Sequence, residues 1–316
     1  MNDQKRDVPE NISFEELRKR PDLSLGLAHG ICGQHRLSSD CTKITEGSQL
    51  LFSSAGCHVI KIFSPQDVEF FRNETIFLTN LHQRSPIQTP QLVASGSFGV
   101  YPYIIMGQLQ GTPLKHVWTE LSESERSDII SQFGEIVRAF HALPIELFDA
   151  APFKWHSLIE HQRDALLANH RGYGLGEEWV AQLLDYVNGC PLDLHDPLRL
   201  VPLHTELMQE HILVKKIGTQ WTLSGLVDFE PSMVGHVEYE FCSVGLFLTR
   251  GNRNLFRLFL SSYGYRGADL TDQLSRRIMA LMLLHRYSNL KRFFTLLPAG
   301  AEFTNLSQLE QYWYGF

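Results

Sequence analysis

The 316-residue sequence has few cysteines and little positive charge. An odd number of cysteines, none in CxxC spacing, argues against a disulfide framework or a zinc site and predicts reduced thiols. The five are Cys32, Cys41, Cys57, Cys190 and Cys242. The 28 lysine and arginine residues are outnumbered by 35 aspartate and glutamate residues, which gives a net charge of −7. Nucleic acid is therefore not expected as a partner, because affinity for it depends on clustered basic residues.

Long apolar runs and the common catalytic fingerprints are also missing. The longest apolar run, around residues 278–284, is far too short to cross a bilayer, and the polar N-terminus lacks the apolar core of a signal peptide. The sequence has no Walker loop, dinucleotide glycine fingerprint, GxSxG elbow or HExxH helix. These absences predict a cytoplasmic protein without a membrane partner.

Aromatic residues are plentiful and supply a sizeable core. The chain has 20 phenylalanines, 10 tyrosines and 5 tryptophans, and at this length it can form one large or two medium domains. The mixed pattern over residues 36–63 predicts two or three antiparallel strands, the last at 58–63. In that strand Val59, Lys61 and Phe63 share one face, and Ile60 and Ile62 share the other.

The remaining elements follow from capping signals and hydrophobic periodicity. A short helix begins at the Ser13–Glu16 capping box and ends near Pro21. Strands at 90–94 and 101–106 are joined by a turn at residues 96–99. Further helices are predicted over 68–81, 122–141, 158–170, 177–187, 239–249, 255–263, 270–296 and 306–314. The fold class is therefore α+β. It comprises a small β-rich N-terminal lobe with one main helix (residues 1–106), a connector (107–113) and a larger, mostly helical lobe (114–316).

Residues 201–241 form a predicted hairpin with polar tips. Strands at 212–214 and 223–227 are joined by a turn at Gly218, and such a pair brings its flanking polar clusters to one end. One cluster holds His204, Glu206 and His211; the other holds Asp228 and Glu230. The hairpin could carry a metal or phosphate site, or it could be two surface turns that meet only water.

Lys61 is a second candidate functional residue. It lies between apolar neighbours, and it could simply project from a solvated sheet face. If it faces a cleft it needs an anion, and Glu74 in the helix 68–81 is the nearest candidate. A strand lysine, a helix carboxylate, a polar loop and a strand-end aspartate, in this order, fit the requirements of phosphoryl transfer.

Several strings in the same order resemble the aminoglycoside phosphotransferase family, and the hygromycin B phosphotransferase type most closely. VIKIF is similar to the lysine strand of that family, PYIIMGQLQGTPL to its hinge, and FGEIVRAFHALP to its LHxLP helix. HTELMQEHILV is similar to the HGDxxxxNxLV catalytic loop, and LSGLVDFEPSMVGHVEYEF to the metal-binding signature. The resemblance runs from about residue 40 to the C-terminus and implies a bilobal, protein-kinase-like fold.

The resemblance also implies roles for individual residues. Lys61, oriented by Glu74, would contact the nucleotide phosphates, and the turn at 45–51, including Gly47 and Ser48, would lie over them. Backbone groups of Ile105, Met106 and Gly107 would hold the adenine edge. In the catalytic loop, Glu206 would act on the acceptor hydroxyl and His204 would support the loop. Asp228 and His211 would bind Mg²⁺, and Glu240 would be a structural acid.

The implied activity is transfer of a phosphoryl group from ATP, or GTP, to a hydroxyl of an aminoglycoside-like small molecule. Such an acceptor could be cationic and could meet Glu160 and Asp164; the enzyme could confer antibiotic resistance as a monomer or homodimer. Three positions depart from the family pattern: Thr205 replaces a glycine, Glu206 an aspartate and His211 an asparagine. These departures motivate an alternative, a pseudokinase that binds nucleotide without turnover. A kinase fold used for nucleotidylation is a third hypothesis.

Overall fold

A computed structural model describes residues 12–44, 47–192, 194, 196 and 199–316. A β-sheet lobe precedes a larger helical lobe in the described residues, so the α+β prediction is confirmed. None of the helices in these ranges is both long enough and apolar enough to cross a membrane. A flexible tail is expected at residues 1–12 from their polar composition, and the first eleven of these residues lie outside the described part of the chain. Thr45 and Glu46 of the predicted phosphate turn lie outside it as well.

The strands are β1 (Cys41–Ile44), β2 (Leu50–Ser54), β3 (His58–Ile62), β4 (Leu92–Phe98), β5 (Tyr101–Gly107), β6 (Thr112–Pro113), β7 (Leu200–Leu203), β8 (Ile212–Ile217), β9 (Gln220–Leu226) and β10 (Met233–His236). The helices are α1 (Phe14–Lys19), α2 (Pro21–His35), α3 (Val68–Leu81), α4 (Leu114–Val117), α5 (Glu123–His141), α6 (Trp155–Gly172), α7 (Glu177–Asn188), α8 (Val237–Ser243), α9 (Arg253–Tyr263), α10 (Asp272–Leu283), α11 (Leu290–Phe293) and α12 (Leu306–Tyr314).

The N-terminal sheet is antiparallel, with the strand order β1-β2-β3-β5-β4. The predicted alternation of faces in β3 is confirmed. Ile60 and Ile62 pack into a core beneath α1 and α2, whereas Val59 and Lys61 line a cleft on the opposite face. The period of two along a strand is what places an otherwise buried lysine in that cleft.

Two helices, rather than one, precede β1. The Ser13–Glu16 capping box is present and begins α1, as predicted. The prediction stopped at Pro21, but this proline is the first residue of the 15-residue helix α2, a position where its missing N–H costs nothing. The helix α2 was not predicted from the sequence. Its residues Leu27 and Ile31 help to cover the outer face of the sheet.

The turn predicted at residues 96–99 begins later in the structure than expected. Gly96 lies inside β4 opposite Tyr103, and the chain turns at Gly99 and Val100. A Cβ on Gly96 would be 2.9 Å from the Tyr103 hydroxyl oxygen. Here glycine therefore makes room for a cross-strand aromatic side chain, which single-sequence turn signals cannot distinguish from a loop glycine.

The predicted helix over residues 270–296 is broken. The helix α10 ends at Leu283, and α11 begins only at Leu290. Between them the Arg286 N–H donates to the Tyr239 hydroxyl (2.9 Å) and the Tyr287 N–H donates to His285 Nδ1 (3.2 Å). Side chains thus take donors that a continuous helix would use, and neither glycine nor proline marks the break.

Two small sheets hold the polar hairpin in place. Strand β7 pairs with β10, and β6, β8 and β9 form a second antiparallel sheet. The loop 204–211 connects β7 to β8, and the loop 227–232 connects β9 to β10. Because the same two sheets bracket both loops, the loops lie side by side, and the Val227 N–H donates to the His211 carbonyl oxygen (3.0 Å).

We expect Gly134→Ala in α5 to destabilise the protein, although alanine favours helices over glycine. A Cβ at this position would lie 2.6 Å from the Phe259 carbonyl oxygen in α9, and such overpacking costs about 1–3 kcal/mol. In α2, Gly26 has no atom within 4 Å of its would-be Cβ. Gly26→Ala should therefore stabilise by about 0.5–1 kcal/mol.

The measurement is the free energy of unfolding by chemical denaturation of the wild type and the two variants. A Gly134→Ala protein as stable as the Gly26→Ala protein would contradict the close approach of α5 to α9.

Candidate functional site

A cleft of about 650 Å³ lies between the N-terminal sheet and the polar hairpin. Val59, Lys61 and Met106 form its upper wall, and Leu213 and Asp228 lie on the opposite side. Its volume falls in the range of small-molecule and cofactor sites. The structure thus brings the lysine strand and the hairpin, which are far apart in sequence, to one cavity.

Lys61 is the centre of the charge network in this cleft. Its Nζ lies 2.7 Å from Glu74 Oε2, 2.6 Å from Asp228 Oδ1 and 2.9 Å from Glu230 Oε2. The lysine side chain is 4% exposed and that of Glu74 is 1% exposed. Lys61 does not project from a solvated sheet face, because it is buried and paired to three carboxylates.

Burial and pairing act in opposite directions on this network. Burial alone would lower the pKa of Lys61, but Asp228, Glu230 and Glu74 outweigh it and hold that pKa well above its ordinary value. Burial opposes ionisation of Asp228 as well, yet Lys61 and His211 keep its pKa well below the usual range. Burial raises the pKa of Glu74 and of Glu230. Asp228 is therefore the carboxylate that stays ionised most readily.

The loop 204–211 is held by buried hydrogen bonds. His204 donates through Nε2 to the Val227 carbonyl oxygen (2.9 Å), and its Nδ1 accepts from the Glu206 N–H (3.3 Å). Burial lowers the pKa of His204 to about 4, which keeps the imidazole neutral in both roles. The side chain of Glu206 lines a smaller cavity of about 310 Å³, and burial raises its pKa to about 7.

Glu240 fixes the backbone of the same loop. Its carboxylate accepts from the His204 N–H (2.6 Å) and the Thr205 N–H (2.7 Å) and is fully buried. Thr205 has a φ of 73°, a conformation that is strained for a β-branched residue. His285 contacts the Thr205 carbonyl oxygen through Nε2 at 3.2 Å. Glycine would adopt this φ without strain, whereas Thr205 is held in it by its hydrogen bonds with Glu240 and His285.

His211 lies beside Asp228. Its Nε2 is 3.2 Å from Asp228 Oδ2, and its Nδ1 is 2.9 Å from the Glu206 carbonyl oxygen. Together with Glu206 these side chains place one ligand atom each within 4.8 Å of one another. A second such group comprises Glu74, Asp228 and Glu230, but its carboxylates all contact Lys61.

Most of the other predicted positions also line the large cleft. Gly47, Ser48, Met106 and Gly107 are among its lining residues. The Ile105 side chain is fully buried in the core beneath α2. The Gly107 N–H donates to the Gln91 carbonyl oxygen, and the Gln108 N–H donates to that of Cys57, both at 2.9 Å. These two donors are therefore engaged within the protein.

Two charged residues of the site had no individual role in the sequence-based predictions, although Glu230 was placed in the polar cluster with Asp228. Glu230 contacts Lys61, and its position two residues after Asp228 was the available signal. Arg292 of α11 lines both cavities, and no ion pair to it is found in the described residues. It was assigned to a long helix, and only the break after Leu283 brings it to the cleft.

We expect Lys61→Met to destabilise the protein by about 3–5 kcal/mol at pH 8, because it leaves the buried Glu74 and Glu230 and the partly exposed Asp228 without their cation. Asp228, with its depressed pKa, stabilises the fold above its ordinary pKa of about 4 and loses that contribution as the pH falls. Without Lys61 the carboxylates favour protonation instead, so the destabilisation should shrink between pH 8 and pH 5.

Unfolding free energies at both pH values check this expectation. Lys215→Met, on the exposed part of β8, is the matched control and should change stability by less than about 0.5 kcal/mol. A Lys61→Met loss that is equally large at pH 5 and pH 8 would show that packing, rather than charge, is what the lysine contributes.

The bilobal arrangement, with a strand lysine paired to a helix carboxylate above two polar loops, defines a protein-kinase-like fold. Residues 50–274 match the profile of the APH family, described as the phosphotransferase enzyme family. This match spans well over half of the chain. The chain therefore belongs to this phosphotransferase family. A comparison with curated protein sequences found no significant match.

Three solved phosphotransferase structures are similar to this chain in fold. The GDP complex of wild-type aminoglycoside 2'-phosphotransferase-IIIa has a TM-score of 0.67 and 16% identity, covering 86% of this chain and 96% of that one. The streptomycin-ATP-APH(2")-IIa ternary complex has a TM-score of 0.61 and 14% identity, covering 85% and 94%. Macrolide 2'-phosphotransferase MphH from Brachybacterium faecium has a TM-score of 0.59 and 18% identity, covering 87% and 99%. At these identities the likeness establishes the fold.

Proposed function

We propose that the protein transfers the γ-phosphoryl group of ATP, or GTP, to a hydroxyl of a small molecule. The observation that carries this proposal is the contact of Lys61 with both Glu74 and Asp228 at the edge of the 650 Å³ cleft. Phosphoryl transfer needs a positioned cation for the phosphates and a carboxylate beside them. Membership in a phosphotransferase family and the nucleotides named in the two related complexes support the same proposal.

The nucleotide would occupy the cleft with its phosphates at Lys61. Gly47 and Ser48 line the cleft on the side of the predicted phosphate turn, and Met106 and Gly107 line it at the connector. Because the Gly107 and Gln108 N–H groups are engaged, we propose that carbonyl groups of this segment, rather than these donors, face the base. We further propose residues 107–113 as the hinge between lobes 1–106 and 114–316.

Asp228, His211 and Glu206 would hold a divalent cation. Two carboxylates and an imidazole within 4.8 Å of one another are a reasonable donor set for such an ion. The ion would neutralise charge on the phosphates. Mg²⁺ was the prediction from the family resemblance, although the imidazole departs from the oxygen ligands that Mg²⁺ prefers.

Glu206 would accept the proton of the acceptor hydroxyl. It lines the 310 Å³ cavity, which opens beside Asp228, and one of its two carboxylate oxygens can bind the cation while the other takes the proton. Glutamate is one methylene longer than the aspartate of the family pattern. We propose that the loop, whose backbone is held by Glu240 and His204, accommodates this extra length. His204 positions Glu206 through the Glu206 N–H and does not itself contact the acceptor.

The acceptor would lie in the 310 Å³ cavity. Its wall combines apolar side chains, among them Met208, Phe247, Met282 and Phe293, with polar and charged ones that include Tyr287 and Arg292. Glu160 and Asp164 line a separate cavity on α6 that shares no residue with it. The apolar side chains suit a hydroxylated acceptor that has an apolar face. Macrolide-like acceptors therefore deserve testing beside aminoglycosides, hygromycin B included.

We expect Glu206→Gln to lower kcat for phosphoryl transfer by roughly 10²–10⁴, because the amide cannot take the hydroxyl proton. Nucleotide binding, followed as the shift in Tm with ATP and a divalent cation, should remain. Transfer is measured with γ-labelled ATP and a panel containing hygromycin B, kanamycin and erythromycin. Glu135→Gln, on the exposed side of α5, is the matched control and should retain full activity.

Transfer that survives in both Glu206→Gln and Asp228→Ala would contradict the proposed roles. An unshifted Tm at millimolar nucleotide would contradict nucleotide binding itself. A shifted Tm with no transfer to any acceptor of a broad hydroxylated panel would favour the pseudokinase alternative.

A further inference from the structure

We propose that His211, Asp228 and Glu206 form a metal site that selects Mn²⁺ over Mg²⁺. The inference rests on the proposed function only in placing the cation of the reaction at these three residues. It concerns which ion this chain prefers, and it depends on a histidine that replaces the oxygen ligand of the family pattern.

The orientation of the imidazole is the first observation. The Nδ1 atom of His211 lies 2.9 Å from the Glu206 carbonyl oxygen. A carbonyl oxygen can only accept a hydrogen bond, so Nδ1 carries a hydrogen, and Nε2 is the nitrogen that a metal would bind in exchange for any proton shared with Asp228. Metal-binding histidines are commonly oriented by such a bond from the second ring nitrogen to a carbonyl group. The Nε2 atom points to Asp228 Oδ2 at 3.2 Å.

The spacing of the donor atoms is the second observation. The ligand atoms of Glu206, His211 and Asp228 all lie within 4.8 Å of one another. Ligands bound at about 2.1 Å to one ion can be at most about 4.2 Å apart, so a small side-chain adjustment closes the set. Glu206 has two carboxylate oxygens, and one can bind the ion while the other remains for the acceptor hydroxyl.

The neighbouring acidic group competes poorly for the ion. Glu74, Asp228 and Glu230 also lie within 4.8 Å of one another, but the Lys61 ammonium contacts all three. Asp228 Oδ1 is committed to Lys61 at 2.6 Å, which leaves Oδ2 on the side of His211. The ion therefore belongs between Asp228 and His211 and not among the carboxylates around Lys61.

The chemistry of the donors decides the preference. Mg²⁺ is a hard cation that is bound almost entirely by oxygen and exchanges its waters reluctantly. Imidazole nitrogen suits first-row transition metals, whereas carboxylate oxygens suit both Mg²⁺ and Mn²⁺. A set of two carboxylates and one imidazole thus keeps the affinity for Mn²⁺ and weakens that for Mg²⁺.

Mn²⁺ binding to the full chain can be measured by electron paramagnetic resonance, with and without a non-hydrolysable ATP analogue, and with Mg²⁺ as competitor. The wild type should bind Mn²⁺ at least about tenfold more tightly than Mg²⁺. His211→Asn, which restores an oxygen ligand, should reduce that preference by about tenfold or more. His161→Asn, at an exposed position of α6, removes a histidine elsewhere and should change nothing.

A His211→Asn protein that is folded by circular dichroism and keeps the wild-type Mn²⁺ to Mg²⁺ ratio would overturn the proposal. Equal wild-type affinities for the two ions would do so as well. Neither result requires turnover. Failed phosphoryl transfer with intact Mn²⁺ selectivity would count against the proposed function alone, and transfer without selectivity would count against this inference alone.

Discussion

The contact of one buried ammonium with three carboxylates is the interaction on which the site depends. Lys61 comes from β3, Glu74 from α3, and Asp228 and Glu230 from the loop between β9 and β10. Burying these charges singly would cost several kcal/mol for each ion, and their mutual pairing offsets that cost. The same contact joins the N-terminal sheet to the hairpin of the larger lobe, so electrostatics and fold are coupled at this point.

The helix α3 and the acidic residue Glu240 extend this coupling into the backbone. Asn73, next to Glu74, donates to the carbonyl oxygens of Glu230 and Ser232 at 2.9 and 2.7 Å. Glu240 holds the backbone of Thr205 in its strained conformation. Asp228 also has a positive φ, 74°. A strained backbone conformation persists where the surrounding contacts hold it in place. Here Thr205 lies in the loop 204–211, and Asp228 lies in the loop 227–232.

Much of this arrangement could be predicted from the sequence because it has a local signal. The period of two along β3 predicted that Lys61 lies on the face opposite to that of Ile60 and Ile62. The spacing of apolar residues predicted the bounds of α3 that the structure shows. Elements decided by tertiary contacts were missed or misplaced. The outer helix α2 was not predicted, the glycine in β4 faces Tyr103, and Tyr239 and His285 end α10. For the same reason the contact of Glu230 with Lys61 and the placement of Arg292 required the folded chain.

The central claim is that the cleft beside Lys61 binds a nucleotide with its phosphates between the two lobes. Its most direct test is a crystal structure of the protein with a non-hydrolysable ATP analogue and Mn²⁺, with anomalous scattering to locate the ion. We predict a phosphate oxygen within about 3 Å of Lys61 Nζ and an anomalous peak between Asp228 and His211. A nucleotide bound outside this cleft, with Lys61 still paired to its three carboxylates, would contradict the account.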